Sequence, residues 1–112
     1  MIEVSTEEFD RLVERALDDI PERLRAAMEN VVVFVDDTSP PGPLFGLYQG
    51  VPLTSRGQYS TALPDRITIF KATICMACST TAEVQQQVRR TVIHEVGHHF
   101  GISDPRLREL GW

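Results

Sequence analysis

The feature that most constrains this sequence is a long helical pattern between Thr80 and Phe100. Thr80 followed by Glu83 is typical of a capping box, in which two side chains satisfy the free backbone amides at a helix start. Beyond it, apolar side chains return every three or four residues, as they do along one face of a helix: Val84, Val88, Thr91, Val92 and Val96. Gly101 predicts the end of this helix, because glycine readily adopts the left-handed backbone that closes helices.

The same predicted helix carries His94, Glu95 and His98 in the spacing H-E-x-x-H. Residues four apart are neighbours on one helix face, so the two imidazoles can converge on one cation. Glu95 would lie beside that ion, where its carboxylate can accept a proton from bound water and pass it on. Zinc in such a site lowers the pKa of its water to about 7 and polarises a carbonyl group, and amide hydrolysis needs both effects.

A third metal ligand is expected just beyond the helix, because catalytic zinc sites usually have three protein ligands and one open position. A left-handed turn at Gly101 would bring the chain back toward the histidines, and Asp104 is the carboxylate that this turn returns. The predicted zinc ligands are therefore His94, His98 and Asp104. Glu95 is the predicted general base toward water and general acid toward the leaving amine.

The extended motif running from His94 through Gly101 to Asp104 resembles that of the metzincins, with Asp where most members carry a third His. It is most similar to the small bacterial domains called minimal zincins, and the segment Gly46 to Leu53 also resembles that family. The resemblance implies a zinc-dependent metallopeptidase with an α+β zincin-like fold, in which a mixed sheet lies over the active-site helix. It also implies that the strand near Thr68 to Ile74 lines the cleft, where an extended peptide could add alongside it.

The beginning of the chain predicts helices. Ser5 with Glu8 fits a second capping box, and apolar residues then recur at helical spacing as far as Ile20. Pro21 either ends this helix or occupies the first position of another one. A short helix is also predicted after Asp104, over Arg106 to Leu110. We therefore expect N-terminal helices, a small twisted mixed sheet and one long active-site helix.

Three strands are predicted between the helices. Val31 to Val35 is a continuous β-branched and aromatic run, which predicts a strand buried on both faces. Leu44 to Tyr48 predicts a short strand. Arg66 to Ile74 predicts a third strand at the edge of the sheet, because Lys71 lies within it. Gly50 to Pro64 is rich in Gly, Pro, Ser and Thr, so it is predicted to be mostly loop.

Size and charge limit the class of protein. The chain has 112 residues, which predicts one domain. Its formal net charge of -5 argues against a nucleic-acid-binding module and does not identify the substrate. The predicted reaction implies a peptide or protein as the partner. No secretory signal is visible, and no apolar run approaches the roughly 20 residues that a membrane span requires. With only two cysteines, a disulfide-stapled scaffold is not expected, and the predicted location is the cytoplasm.

Two other functions are compatible with the sequence. One is a zinc-binding interaction domain that keeps the metal site without catalysis. The other is a thiol redox protein, because Cys75 and Cys78 are spaced as C-x-x-C between a predicted strand and helix. A pair of buried thiols is the favoured interpretation of these cysteines. A structural zinc site that joins them to the two histidines of the motif is also conceivable, but it would leave Glu95 and Asp104 without roles.

Four further residues are weaker candidates. His99 is expected to be a core histidine, or to orient Asp104 from outside the ligand set. Tyr48 and Tyr59 are candidates to stabilise a developing oxyanion, although a buried hydroxyl on a sheet is more common. Arg56 could meet a substrate carboxylate, and a solvated surface position is the more frequent alternative.

Overall fold

The computed structural model of the protein describes residues 1–38, 42–55 and 64–111. Its helices are α1 (Thr6–Asp18), α2 (Glu22–Ala27), α3 (Lys71–Ala77), α4 (Thr81–His99) and α5 (Asp104–Leu110). Its strands are β1 (Val31–Asp36), β2 (Gly46–Gln49) and β3 (Asp65–Phe70), and a single turn of 3-10 helix covers Leu53–Ser55. This mixture of helices and a small sheet confirms the predicted α+β class.

The two long helices begin where the capping residues predict. The Ser5 hydroxyl accepts a hydrogen bond from the Glu8 amide, and the Thr80 hydroxyl accepts one from the Glu83 amide, each at 3.1 Å. These bonds satisfy backbone donors that have no partner inside the first turn of a helix. Within the described ranges, no helix has the length and apolar character needed to cross a membrane.

The core forms where α1 packs against α4 and α4 packs against the sheet. The apolar stripe predicted on α4 is buried, and the aliphatic and aromatic face of α1 is buried with it. The fully buried apolar side chains of these two helices are Phe9, Val84, Val88, Val92 and Val96. Removing apolar surface from water stabilises the fold by about 25 cal/mol for each Å². The packing of α1 on α4 therefore holds the polar face of α4 in place.

The sheet has the strand order β1-β3-β2, with β1 parallel and β2 antiparallel to β3. The prediction of β3 as an edge strand is therefore wrong: it is the central strand, with Ile67 and Ile69 fully buried. The strand also ends at Phe70, and Lys71 begins α3 instead of lying in the sheet. Lys71 indicates a solvent-facing position, and the beginning of a helix provides one as readily as a sheet edge does.

The first strand is the outer one, so the prediction that it is buried on both faces is also wrong. Its side chains are half-buried, and Phe34 is 43% exposed. The guanidinium group of Arg66, on the neighbouring β3, lies 5.0 Å from the centre of the Phe34 ring. A cation over an aromatic face shields part of that ring from water. With Phe34 partly covered in this way, the apolar run of β1 can lie at the edge of the sheet.

The segment between β2 and β3 is described only at its two ends. Residues 50–55 leave β2 and enter the 3-10 turn, and Pro64 precedes β3. The remainder of the predicted loop lies outside the described residues. Arg56 and Tyr59, the two candidates on this loop, lie outside them as well.

Candidate metal centre

The end of α4 is closed by Gly101, as predicted. Its φ of +81° is left-handed, its amide donates to the His98 carbonyl at 2.9 Å, and the Ile102 amide donates to the Gly97 carbonyl at 3.0 Å. This pair of bonds is the Schellman arrangement that ends many helices. A side chain on Gly101 would also collide with Thr54. Glycine is therefore required here both by the backbone and by the available space.

The turn at Gly101 leads into α5, which begins at Asp104, two residues earlier than predicted. α5 packs onto α4 because Gly97 has no side chain: a Cβ at that position would overlap the fully buried Leu107. A glycine in the middle of a helix costs about 1 kcal/mol relative to alanine. Here it allows the close approach that fixes Asp104 beside the histidines of α4.

The side chains of His94, His98 and Asp104 converge, as the motif predicts for metal ligands. The Asp104 Oδ1 atom lies 3.0 Å from His94 Nε2 and 3.1 Å from His98 Nε2. One ligand atom from each of the three residues lies within 4.8 Å of the other two. All three residues are partly exposed, so an ion could reach them from solvent. Two imidazole nitrogens and a carboxylate oxygen form a donor set that suits zinc.

The proton on His98 is fixed on the nitrogen that faces away from the cluster. Its Nδ1 atom lies 3.0 Å from the Ile102 carbonyl oxygen. Because a carbonyl only accepts hydrogen bonds, Nδ1 carries a proton, and Nε2 is the nitrogen through which His98 can bind a metal. Nε2 lies 3.1 Å from the carboxylate of Asp104. A cation between them would satisfy both, so these residues fit a bound metal.

Glu95 is buried beside the ligand cluster, with a relative exposure of 7%. Burial raises the pKa of its carboxyl group, while the neighbouring His94 and His98 act in the opposite direction. The backbone N–H of Tyr48 donates a hydrogen bond to this carboxyl group and also lowers its pKa. Glu95 is thus a held, partly desolvated carboxyl group next to the point where a metal could bind.

The strand beside this centre is β2, and the expected strand near Thr68 to Ile74 does not line the cleft. β2 packs on α4 at Gly46, where an added Cβ would lie 2.6 Å from Thr91 and 3.2 Å from the Glu95 side chain. β3 is paired on both sides, by β1 and by β2. Only β2 therefore combines contact with α4 and an edge with no neighbouring strand among the described residues.

Two cavities meet at the ligand cluster, and both are bounded by β2 and α4. The first, of about 530 Å³, extends from His94 and Glu95 toward the beginning of β2 and the preceding turn of α4. The second, of about 510 Å³, extends from the same two residues toward Tyr48, His98 and the turn that leads to Asp104. Together they form a cleft that passes the cluster on both sides, with a size typical of ligand sites.

A buried polar network lies behind the centre, and it was not predicted. His99 Nε2 accepts a hydrogen bond from the Glu29 amide at 3.3 Å, so Nδ1 donates to Asp65, 2.9 Å away. Asp65 also accepts from the Tyr48 hydroxyl and, at 3.3 Å, from the Val51 amide. His99 is therefore a core histidine, but its partner is Asp65 and not Asp104. The Tyr48 hydroxyl, a candidate for the oxyanion, instead donates to a buried carboxylate.

Nothing in the sequence around Asp65 distinguishes it from a surface residue. It follows Pro64 and precedes Arg66, which is typical of a turn, yet its exposure is 1%. The informative signal was His99, because a buried histidine needs a hydrogen-bond partner of its own. That requirement predicts a polar partner, but it does not say which one.

The cysteines do not have the properties of a redox pair. Cys75 lies inside α3 and Cys78 follows its last residue; both thiols are free and buried. Burial raises the pKa of each thiol, whereas reactive cysteines need a lowered one. Within the described ranges, the only group suited to a metal is that of His94, His98 and Asp104, which excludes a cysteine–histidine zinc site there.

A family model described as zincin-like metallopeptidase matches residues 28–112, which include both cavities and every residue of the cluster. No curated protein matches the sequence. Among solved structures, a conserved hypothetical protein from Thermus thermophilus is similar with a TM-score of 0.56 and 23% identity, over 96% of this chain and 97% of that one. At this identity the likeness shows a shared fold alone.

Proposed function

We propose, because the chain belongs to the zincin-like metallopeptidase family, that it is a zinc-dependent peptidase which hydrolyses peptide bonds. His94, His98 and Asp104 would hold the metal, and Glu95 would be the catalytic residue. Membership of the family implies a metal, usually zinc, and the donor set of this chain fits one. The proposed partner is a peptide or protein substrate.

One observation carries this proposal. Three ligand atoms lie within 4.8 Å of one another, and a buried carboxyl group that is not among them lies directly beside them. A structural metal site needs only its ligands. A hydrolytic site also needs a group that moves protons, held close to the metal and partly removed from water. Glu95 lies close to the three ligand atoms and is buried, and the hydrogen bond that it accepts from the Tyr48 amide holds it there.

The chain's own residues provide the proton transfers and the orientation of the substrate. Zinc, when bound, would supply a Lewis acid that polarises the scissile carbonyl and acidifies a water molecule. Glu95 would accept the proton of the attacking water and donate it to the nitrogen of the leaving amine. The raised pKa of this carboxyl group favours the second step, since the group must be protonated to act as an acid.

The substrate would lie as an extended strand along β2. The outer edge of this strand has no neighbouring strand among the described residues, and Leu44 and Leu47 are 41% and 36% exposed beside it. An added strand gains backbone hydrogen bonds from such an edge, while exposed apolar side chains contact its residues. Because the backbone amide of Tyr48 already bonds Glu95, the edge and the catalytic carboxyl group are held in one register.

The test compares the wild-type protein with Glu95→Gln, which keeps the shape of the side chain and removes its proton chemistry. Bound zinc is measured by elemental analysis, and hydrolysis of a mixed peptide library is followed by mass spectrometry. We expect equal zinc content and a loss of hydrolysis of about 100-fold or more in the variant, as is usual for a general base. Glu14→Gln, on the exposed face of α1, is the matched control and should behave as wild type.

The possible results separate the three functions that the sequence leaves open. Zinc bound with no hydrolysis in either protein would refute the peptidase and favour a metal-binding interaction domain. Hydrolysis that persists in Glu95→Gln would refute the role of this residue. Hydrolysis or thiol chemistry that survives His94→Ala would point to a site other than the metal centre.

A further inference from the structure

The cavity at the beginning of β2 contains two arginines that the proposed mechanism does not use. Arg90 and Arg108 both line it, together with Gln87 and the apolar residues Pro43, Leu44 and Phe45. Among the described residues that line it, Glu95 is the only acidic one. The cavity is therefore positively charged on one wall and apolar on another, although the whole chain has a net charge of -5.

Helix geometry explains why both arginines lie on the same side of the ligand cluster. Arg90 precedes His94 by four residues on α4, and Arg108 follows Asp104 by four residues on α5. Residues four apart share a helix face, so each arginine continues the face that carries a ligand. The contact of Leu107 with Gly97 fixes the two helices against each other, and with them the backbone positions of the two arginines.

The part of the chain that the structure describes provides no partner for either guanidinium group. Among the described residues, Arg25 pairs with Asp18 and Arg106 pairs with Glu109, whereas Arg90 and Arg108 have no hydrogen bond or ion pair. Both side chains are exposed. Two free arginines that face one cavity can bind a carboxylate with several N–H donors at once. The planar guanidinium group matches the two oxygens of a carboxylate.

We infer that this cavity is a subsite for a carboxylate of the substrate, within about two residues of the bond that is cleaved. This inference rests on the proposed peptidase function. Arg90 is one helix turn from His94, about 6 Å along the axis, and an extended peptide rises about 3.3 Å for each residue. Such a carboxylate has two sources: the side chain of Asp or Glu, or the free C-terminus of a short peptide.

The experiment uses the zinc-loaded protein and one random octapeptide library in two forms. In the first form both ends are blocked, by acetylation and amidation, and cleaved bonds are mapped by mass spectrometry. We expect about tenfold more cleavage within two residues of Asp or Glu than of Asn or Gln, since two partly exposed ion pairs contribute to it. In the second form the C-terminus is free, and cleavage concentrated within two residues of it identifies the terminal carboxylate as the ligand.

Variants connect the preference with the two arginines. Arg90→Gln and Arg108→Gln should each reduce the preference about threefold, and the double variant should abolish it. Arg89→Gln and Arg106→Gln are the matched controls, since Arg89 faces the groove between α1 and α4 and Arg106 already pairs with Glu109. The preference should also shrink as ionic strength rises, because these charges are open to solvent.

A binding measurement separates failure of the subsite from failure of the proposed function. Fluorescein-labelled hexa-alanine peptides that carry one Glu or one Gln are titrated with the Glu95→Gln protein. Tighter binding of the Glu peptide, lost in the double arginine variant, supports the subsite even if no peptide is ever hydrolysed. Hydrolysis with neither an acidic nor a C-terminal preference would overturn the subsite and leave the peptidase intact. Equal binding of the Glu and Gln peptides, together with cleavage that prefers neither acidic residues nor the C-terminus, would also overturn the subsite.

Discussion

Two histidine–carboxylate pairs lie on different faces of the last turns of α4, with nearly the same geometry and opposite surroundings. His94 and Asp104 are 3.0 Å apart, with side-chain exposures of 34% and 65%. His99 and Asp65 are 2.9 Å apart, with exposures of 0% and 1%. The first pair opens onto a cleft. The second pair is enclosed between the helix and the sheet.

A short nitrogen–oxygen distance therefore does not by itself identify a functional site. What separates the pairs is how many of their hydrogen-bonding positions are already used. Both nitrogens of His99 have partners, and Asp65 accepts from a hydroxyl, an imidazole and an amide. Around Asp104, a carboxylate oxygen and two imidazole nitrogens lie close enough together to hold one cation. A satisfied network holds a fold together, whereas an unsatisfied cluster of acceptors binds something.

The largest expected effect is on stability, and it should separate the two carboxylates. Asp65→Ala leaves the buried His99 and Tyr48 without their partner, and removal of one member of a buried pair costs about 3–5 kcal/mol. Asp104→Ala removes an exposed residue from the first turn of a short helix and should cost less than about 1 kcal/mol. Urea unfolding in the presence of a chelator measures both free energies. Similar losses would mean that the two pairs do not differ as described.

The second effect concerns stabilisation by zinc. Here substitution at the exposed site should have the larger effect, and substitution in the buried pair the smaller one. At a free zinc concentration 100 times the Kd, a metal that binds only the folded state stabilises it by about 2.7 kcal/mol. We expect this increment in the wild type and its disappearance in His98→Ala. Asp65→Asn should lower the starting stability and keep the increment, since its carboxylate is not among the proposed ligands.

The measurement is the unfolding free energy of each variant with and without zinc, so that each protein is its own reference. An increment retained by His98→Ala would show that zinc binds elsewhere. An increment lost in Asp65→Asn would show that the buried pair positions the metal ligands.

The exposed site was predictable from the sequence because its residues are local. His94, Glu95 and His98 lie on one helix, and Asp104 follows one glycine turn later, so helix period and turn chemistry decide the arrangement. The family resemblance agrees with the matched family. Single-domain organisation, peptide partners and a cytoplasmic location remain predictions.

The buried pair and the strand order were not predictable, because they depend on contacts between distant parts of the chain. Asp65 and His99 are 34 residues apart and meet only after β3 has paired with both other strands. The apolar run of β1 and the mixed pattern of β3 suggested the wrong places in the sheet, since either pattern fits an edge or a centre until its neighbours are known. The requirement for Gly97 likewise depends on a contact outside its own helix, because Leu107 of α5 packs against it.

The smallest expected effect belongs to Glu95, which is buried like Asp65 and adjoins the exposed cluster. Burial raises the pKa of this carboxyl group above its ordinary value of 4.5, and the two histidines and the Tyr48 amide offset only part of that. The folded, metal-free protein therefore binds this proton more tightly than the unfolded chain does. The stability that protonation contributes is present below pH 4.5 and is lost as pH rises through the higher pKa of the folded state.

Glu95→Gln is neutral at every pH and should escape this loss. The stability of the variant relative to wild type should then begin to increase at about pH 4.5, the ordinary pKa of a glutamate carboxyl group. It should become constant above the pKa of Glu95 in the folded state. Urea unfolding at a series of pH values, with a chelator present, measures the difference, and Glu14→Gln provides the exposed control. A difference that does not change with pH would mean that the carboxyl group is as well solvated as one on the surface. Glu95 would then be grouped with Asp104 and not with Asp65, and its suitability as a proton donor to the leaving amine would lose its physical basis.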